Sequence, residues 1–279
     1  VFNYGFKEFE NDVKEFKPDV AGVTASLSQI ELTKKTLLAI KQLNPNTFTI
    51  IGGPLISTDI NMLLKLENAD YGVYGEAELT FVEILKKIQK KEELEGSEGL
   101  VWREKNKVFF SKPGIIENLD QIPMPARHLL NMKIYKPSPA NYRRLPATTM
   151  MTSRGCPYKC VFCSKAVEGV KFRAYSAKRV VDEMEHLSKK YGIKDIQIFD
   201  DTFTFIPKRA EEICKEIIER RLDIGWNCMT RVDKINPYLL RLMKRAGCYE
   251  IGFGIESGSE RILKLINKGI TKEQIRQGI

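Results

Sequence analysis

The chain has 279 residues, 43% hydrophobic and 29% charged, a balance ordinary for a soluble globular protein of roughly two domains. No apolar run approaches about 18 residues, which excludes a membrane-spanning helix. The net charge of +9 is uneven: residues 1–112 hold 15 Lys+Arg against 17 Asp+Glu, residues 113–279 hold 30 against 19. The basic residues fall on helix faces, as in RAEEICKEIIERR, and form no long block, so they read as solvated surface and argue against a nucleic-acid partner.

The opening stretch VFNYGFKEFENDVKEF mixes acids with lysines and lacks a signal-peptide layout; with the clustered cysteines described below, the expected setting is a reducing cytoplasm. Residue 1 is not methionine, so the chain is expected to start inside a longer protein.

From residue 18 to 112, short apolar strands alternate with amphipathic helices. PDVAGVTAS reads as a strand, and ELTKKTLLAIKQLN as a helix with Leu32, Thr36, Ala39, Ile40 and Leu43 on one face. TFTIIGG is the next strand, TDINMLLKLENA a helix, ADYGVYG a strand and ELTFVEILKKIQKK a helix. EGLVWREKNKVFFSK reads as a hairpin turning near Lys105–Lys107. The βαβα rhythm predicts a doubly wound parallel sheet, whose ligands bind beyond the carboxyl ends of the strands. There lie Ser26, Ser28, Gly52, Gly53, Pro54, Gly75 and Glu76. Glycine at such an edge lets a bulky ligand approach the backbone.

This arrangement resembles the cobalamin-binding domain that precedes many radical S-adenosylmethionine (SAM) cores. The resemblance implies that Ser26 or Ser28 and the Gly52–Gly53 pair line a channel for the nucleotide tail of cobalamin; the GGP and GEAE segments are typical of the same group. The D-x-H-x-x-G loop, whose histidine can ligate cobalt, is absent; with the first strand and helix it is expected upstream of residue 1. Without cobalamin, the same glycines would serve only as turns.

Residues 113–146 carry Pro123, Pro125, Pro137, Pro139 and Pro146 and read as a connector between domain 1–112 and domain 147–279. From Ala147 an apolar strand leads into MMTSRGCPYKCVFCSKAV, in which Cys156, Cys160 and Cys163 are spaced C-x3-C-x2-C. Three thiolates are one fewer than a structural zinc site or a saturated [4Fe–4S] cluster takes, and a cluster held by three leaves one iron open. The alternatives are three buried thiols, or a zinc knuckle completed by a distant residue; the two histidines, His128 and His186, lie outside the motif. Cys214, Cys228 and Cys248 are scattered; Cys214 reads as a core thiol, and so does Cys228, for which the barrel interior is the alternative.

Three strand–helix units follow. Ser176 caps a helix carrying Val180, Val181, Met184 and Leu187 and ending at Gly192; Pro207 and Asn236–Pro237 open two more. The strands are DIQIFDD, IGWNCMTR and CYEIGFGIES, and a last helix begins at Thr271. At their carboxyl ends stand Asp200, Asp201, Arg231, Glu256 and Ser257. For each strand-end acid the competing role is capping of the next helix.

The cysteine motif, with Phe162 before its last member, resembles the radical SAM signature. The resemblance implies a partial (βα) barrel, here incomplete at its carboxyl end, and a [4Fe–4S] cluster whose open iron chelates SAM. It implies further that Asp200 or Asp201 receives the methionyl amino group, that Arg231 and Glu256 or Ser257 contact its carboxylate or ribose, and that the backbone at Phe162 approaches adenine. The expected activity is reductive cleavage of SAM to a 5′-deoxyadenosyl radical, used with cobalamin for methyl transfer to an unactivated carbon of a small molecule. A low-potential donor such as flavodoxin or ferredoxin would supply the electron. The alternatives are a cobalamin-associated radical cyclase or rearrangement enzyme, a tRNA methylthiotransferase, and a non-catalytic cobalamin or SAM sensor. The methylthiotransferases carry three further cysteines in their N-terminal domain, and residues 1–155 have none.

Overall fold

The computed structural model describes residues 5–135 and 137–279; residues 1–4, part of the stretch read above for a leader, lie outside them. The chain divides into two compact units, one of residues 1–116 with 164–169, the other of residues 117–163 with 170–279.

The first unit opens with α1 (Phe6–Phe16), a helix that the sequence reading left unassigned; only Val13 of it is buried. Then come β1 (Val20–Thr24), α2 (Ile30–Leu43), β2 (Phe48–Gly52), α3 (Pro54–Thr58), β3 (Tyr71–Val73), α4 (Glu78–Lys90), β4 (Leu100–Glu104) and β5 (Lys107–Phe110). They form one sheet in the order β1-β2-β3-β4-β5. The first three strands are parallel, and the expected hairpin extends the same sheet antiparallel to β3. Alternation along a strand sends neighbouring residues to opposite faces. Ile51 accordingly packs with Leu37, Leu55 and Ile56 beneath α2 and α3, while Ile50 packs with Ile84 of α4 on the other side.

The helix expected over TDINMLLKLENA is broken. α3 ends at Thr58, Asp59 is extended, and Ile60–Lys65 is a 3₁₀ segment. The Asp59 carboxylate accepts hydrogen bonds from the Asn61 backbone and side-chain amides, both at 3.0 Å. This local bond starts a new turn where the apolar spacing alone predicted continuity.

In the second unit the connector makes three short 3₁₀ turns, at Leu119–Gln121, Arg127–Leu129 and Pro139–Asn141. Its Arg127 is buried and donates to Glu183 at 2.6 Å, and Glu183 also pairs with Arg179 at 3.3 Å. The core elements are β6 (Ala147–Met150), β7 (Ser153–Arg154), β8 (Arg173–Ala174), α5 (Ala177–Tyr191), β9 (Asp195–Ile198), α6 (Pro207–Glu219), β10 (Gly225–Thr230), α7 (Pro237–Arg245), β11 (Cys248–Phe253), α8 (Glu260–Leu265) and α9 (Lys272–Gly278). The expected caps form: Ser176, Asn236 and Thr271 each accept a backbone N–H through the side chain, and Gly192 closes α5 in the left-handed region.

β6, β9, β10 and β11 form a parallel sheet in chain order. One face, bearing Met150, Ile196, Ile198, Trp226 and Cys228, is buried with Val181, Ile213 and Leu239 from α5, α6 and α7. Because all four strands run the same way, their carboxyl ends share one edge. The short antiparallel pair β7–β8, which the sequence reading missed, brackets the cysteine loop.

Candidate active site

The loop between β7 and β8 carries Cys156 and Cys160, partly exposed, and Cys163, exposed; none is in a disulfide. Gly155 enters it at φ +78, in the left-handed region that glycine adopts without strain. The Cys163 N–H donates to the Cys160 carbonyl at 3.2 Å, which folds the last two ligands into one turn. Phe162 stands 55% exposed between them. Among the described residues, no trio of Cys, His, Asp or Glu is gathered round one point as a single ion requires. The donor set, three accessible thiols within eight residues, fits a cluster in which each thiolate takes a different iron.

The two strand-end aspartates after β9 divide. Asp200 is 3% exposed, and its carboxylate accepts four hydrogen bonds: from the N–H and hydroxyl of Thr152 (2.6 and 2.5 Å) and of Ser153 (3.0 and 2.7 Å). Arg209 of α6 completes the frame, donating to the carbonyls of Thr152 at 2.6 Å and Tyr175 at 2.8 Å. Burial lowers the pKa of this guanidinium from its ordinary value, with Asp200 opposing the shift. Asp200 therefore holds the strand that delivers the cysteine loop, and its oxygens are committed there. Asp201, one residue on, is exposed.

Arg231, just past β10, is 5% exposed. Its guanidinium is shared among Asp233 (2.9 and 3.1 Å), the Lys268 carbonyl (2.8 Å) and the Gly269 carbonyl (3.2 Å), and lies 3.6 Å from the centroid of the Tyr158 ring. It clasps protein rather than presenting a free fork. Glu256 has φ +68, rare outside glycine and asparagine, and pairs with Lys268 at 3.0 Å. Ser257 accepts from the Ser259 N–H at 3.1 Å, a turn leading into α8. The sequence reading missed Lys268. It is 7% exposed, and its ammonium also lies 5.8 Å from the Phe162 centroid. Its signal was hidden in KLINKGIT, which reads as an ordinary helix end.

The sheet face opposite α5–α7 carries a polar row, Thr149, Gln197, Asn227 and Glu250, set side by side by the register. One step toward the carboxyl edge stand Met151, Phe199 and Met229, each 37–56% exposed. Gly252 lies against Met229, whose sulfur occupies the space that a Cβ there would take. Cys214, Cys228 and Cys248 lie in the helix-covered core, as expected of the first two. Burial pushes the Cys214 thiol up to about 12; contact with Cys248, then burial, pushes Cys228 up.

In the first unit, Ser26 and Ser28 follow β1 and their hydroxyls meet at 3.0 Å. Gly53 sits at φ +83, and a Cβ there would strike the Thr24 hydroxyl at 2.3 Å. Gly52 has open space in front of it: nothing lies within 4 Å of where its Cβ would be. Pro54 opens α3, and Gly75, at φ +79, donates its N–H to the Ser57 hydroxyl at 3.0 Å; Glu76 follows, half-buried. Two hydroxyls and a bare backbone edge fit a bulky ligand that approaches the strand ends closely. A cavity of about 1060 Å³, lined by Phe48, Tyr71 and Leu94, lies instead at the amino ends of these strands.

Comparison with known proteins places both halves. Residues 150–279 match the model of the radical SAM superfamily, and residues 3–85 match that of the B12 binding domain. An uncharacterized methyltransferase, PH0819, of Pyrococcus horikoshii is 39% identical over 96% of this chain and 58% of its own length. The cytidylyl-2-hydroxyethylphosphonate methyltransferase of Streptomyces wedmorensis is 30% identical over 94% of this chain and 54% of its own. The chain thus spans a little over half the length of these two curated relatives. Among solved structures, the cobalamin-dependent S-adenosylmethionine radical enzyme OxsB, with aqua-cobalamin and S-adenosylmethionine bound, superposes with a TM-score of 0.82 at 22% identity, covering 98% of this chain and 40% of that one. That likeness shares the fold. Among the described residues no helix is long and apolar enough to cross a membrane.

Proposed function

The chain belongs to the radical SAM superfamily, with a B12 binding domain ahead of its radical SAM domain, and from that premise we propose an enzyme that cleaves SAM reductively and methylates an unactivated carbon of a small molecule. The observation that carries the reading is the three-cysteine loop, delivered by β6 to the edge where β9, β10 and β11 also end. Cys156, Cys160 and Cys163 would hold the [4Fe–4S] cluster, the first unit cobalamin. When bound, these groups supply one electron to the sulfonium, and hence a 5′-deoxyadenosyl radical, together with a carrier for the methyl group.

The chain's own residues orient the reactants. Asp201 is the exposed carboxylate suited to the methionyl ammonium, while Asp200 keeps the loop's entry strand in place. Glu256 and Ser257 stand at the β11 edge for the ribose or carboxylate, with the Lys268 ammonium beside them. Phe162 offers an exposed ring and backbone to adenine. Met151, Phe199 and Met229 give the open face an apolar floor that sheds water from a carbon substrate. Ser26, Ser28, Gly52, Gly53, Pro54, Gly75 and Glu76 would line the cobalamin tail. A low-potential flavodoxin or ferredoxin supplies the electron, in a reducing cytoplasm that keeps the loop cysteines out of disulfides.

The test is anaerobic reconstitution of the intact protein with iron, sulfide and cobalamin, followed by dithionite and methyl-labelled SAM. 5′-Deoxyadenosine with label transferred to an acceptor supports methyl transfer. 5′-Deoxyadenosine without mass gain in the product would move the assignment to a cyclase, and none at all would sink the radical reading.

A further inference from the structure

The loop between the first and last cysteine is fastened to one turn of the same unit. α8 closes in a Schellman motif: Asn267 N–H donates to the Lys264 carbonyl and Lys268 N–H to the Leu263 carbonyl, both at 3.0 Å. Asn267 takes the left-handed position, φ +52, where glycine is the commonest choice. Glycine would close the helix equally well but would leave nothing to reach outward. The Asn267 amide reaches the Lys159 carbonyl at 3.0 Å, and beside it Val161 N–H donates to the Ile266 carbonyl at 3.1 Å. Two further carbonyls of the turn, of Lys268 and Gly269, are held by Arg231, whose guanidinium stacks on Tyr158. Leu263 and Ile270, buried with Val232, root the turn in an apolar cluster.

We propose that Ile266–Gly269, with Arg231, is a brace that sets the shape of the cluster loop, and that Asn267 and Arg231 are positioning residues for the three cysteines. The inference rests on the reading of the loop as a cluster site. Tyr158, Lys159 and Val161 all lie between Cys156 and Cys163, so the brace grips the segment whose course decides where the thiols point. Within that segment the Cys163 N–H to Cys160 carbonyl bond closes a local turn, and a turn bond by itself does not set the course of an eight-residue loop. The planar fork of Arg231 is what lets one side chain bind two carbonyls and Asp233 while stacking on a ring; an ammonium cannot do all of this.

Two variants of the intact chain test it. Asn267→Asp keeps the shape and the tolerance of left-handed backbone but puts an acceptor oxygen against the Lys159 carbonyl. Arg231→Lys keeps the charge and loses both the fork and the stack. In cluster-free protein, hydrogen exchange at Val161 and Cys163 is expected to quicken about five- to tenfold in Asn267→Asp, the factor that one hydrogen bond of ordinary net strength supplies, and more in Arg231→Lys. Amides of Trp226 and Cys228 in the sheet should not change. After reconstitution, iron should pass to a chelator faster by a similar factor, and the shift of the reduced-cluster EPR signal on adding SAM should weaken.

If both variants match wild type within about twofold in loop exchange and iron loss, the brace is overturned. Should Arg231→Lys fail to fold, Asn267→Asp, at an exposed position, decides alone. A wild-type chain whose cluster ignores SAM would sink the functional reading, while the exchange measurement on cluster-free protein would still judge the brace.

Discussion

Six cysteines fall into two trios, and the same side chain does opposite work in each. Cys156, Cys160 and Cys163 stand on a loop, exposed or partly so. Cys214, Cys228 and Cys248 are buried in the layer between the sheet and its helices, with thiols pushed toward the neutral form in Cys214 and Cys228. Thiolate is the ligand and nucleophile; a buried thiol behaves as a small apolar group. The difference teaches that exposure and loop geometry, rather than the number of cysteines, decide which of them carry chemistry.

The largest expected effect follows directly. Cys160→Ala should bring cluster iron and 5′-deoxyadenosine to the level of a control without enzyme, whereas Cys214→Ala should retain both. Iron, sulfide and product analysis on the two variants decides it, and loss of the cluster in Cys214→Ala alone would dissolve the distinction. Alkylation of cluster-free native protein at pH 8 should label the loop trio and spare the core trio until urea unfolds the chain.

Next comes the frame that supports the loop. Asp200→Asn should cost about 3 kcal/mol in urea unfolding, because an amide NH2 would face donors where a charged acceptor now takes four hydrogen bonds. An equal loss in Asp201→Asn would show that the two aspartates do not differ as described.

The core trio should also be visible in alkali. Cys214 titrates near 12 when folded and near 9 when unfolded, so between these values the unfolded chain has released a proton that the folded chain keeps. The unfolded state then binds fewer protons, and stability falls as pH rises, by up to about 1.4 kcal/mol per unit for each such group. Tyr71 and Tyr249, pushed from 10 to about 12 chiefly by burial, add to the slope from pH 10. Urea midpoints from pH 8 to 11 should show a shallower decline in Cys214→Ala.

The smallest effects separate the glycine pair of the first unit. Gly53→Ala should lose about 1–2 kcal/mol through its positive φ and its clash with Thr24. Gly52→Val should change stability by no more than about 0.5 kcal/mol, since open space lies before it, yet weaken cobalamin binding about tenfold. An absorbance titration with cobalamin that shows no difference would remove Gly52 from the proposed channel.

Much of the fold was legible from residue periods and punctuation. Ser176, Asn236 and Thr271 cap where a short polar side chain precedes an apolar stripe, and Gly192 closes where the stripe ends. The break at Asp59 was not legible, because a two-residue side-chain bond leaves no mark on hydrophobic spacing. The short β7–β8 pair was missed for a related reason: two residues are too few to show a period.

The sequence by itself determined the alternation of strands and helices, the two-part division of charge and the three-thiol motif, because these depend on near neighbours along the chain. Only the tertiary structure decided which of these acidic groups is buried and which is exposed. DIQIFDD offers three aspartates alike on paper. Folding places Asp195 against the Arg143 and Arg144 backbone amides, commits Asp200 to Thr152 and Ser153, and leaves Asp201 exposed. Arg231 and Asn267 likewise gain their roles from Tyr158, Lys159, Lys268 and Gly269, residues 37 to 108 positions away. Burial and hydrogen bonding between distant segments set the state of a charged group, and no local pattern encodes them.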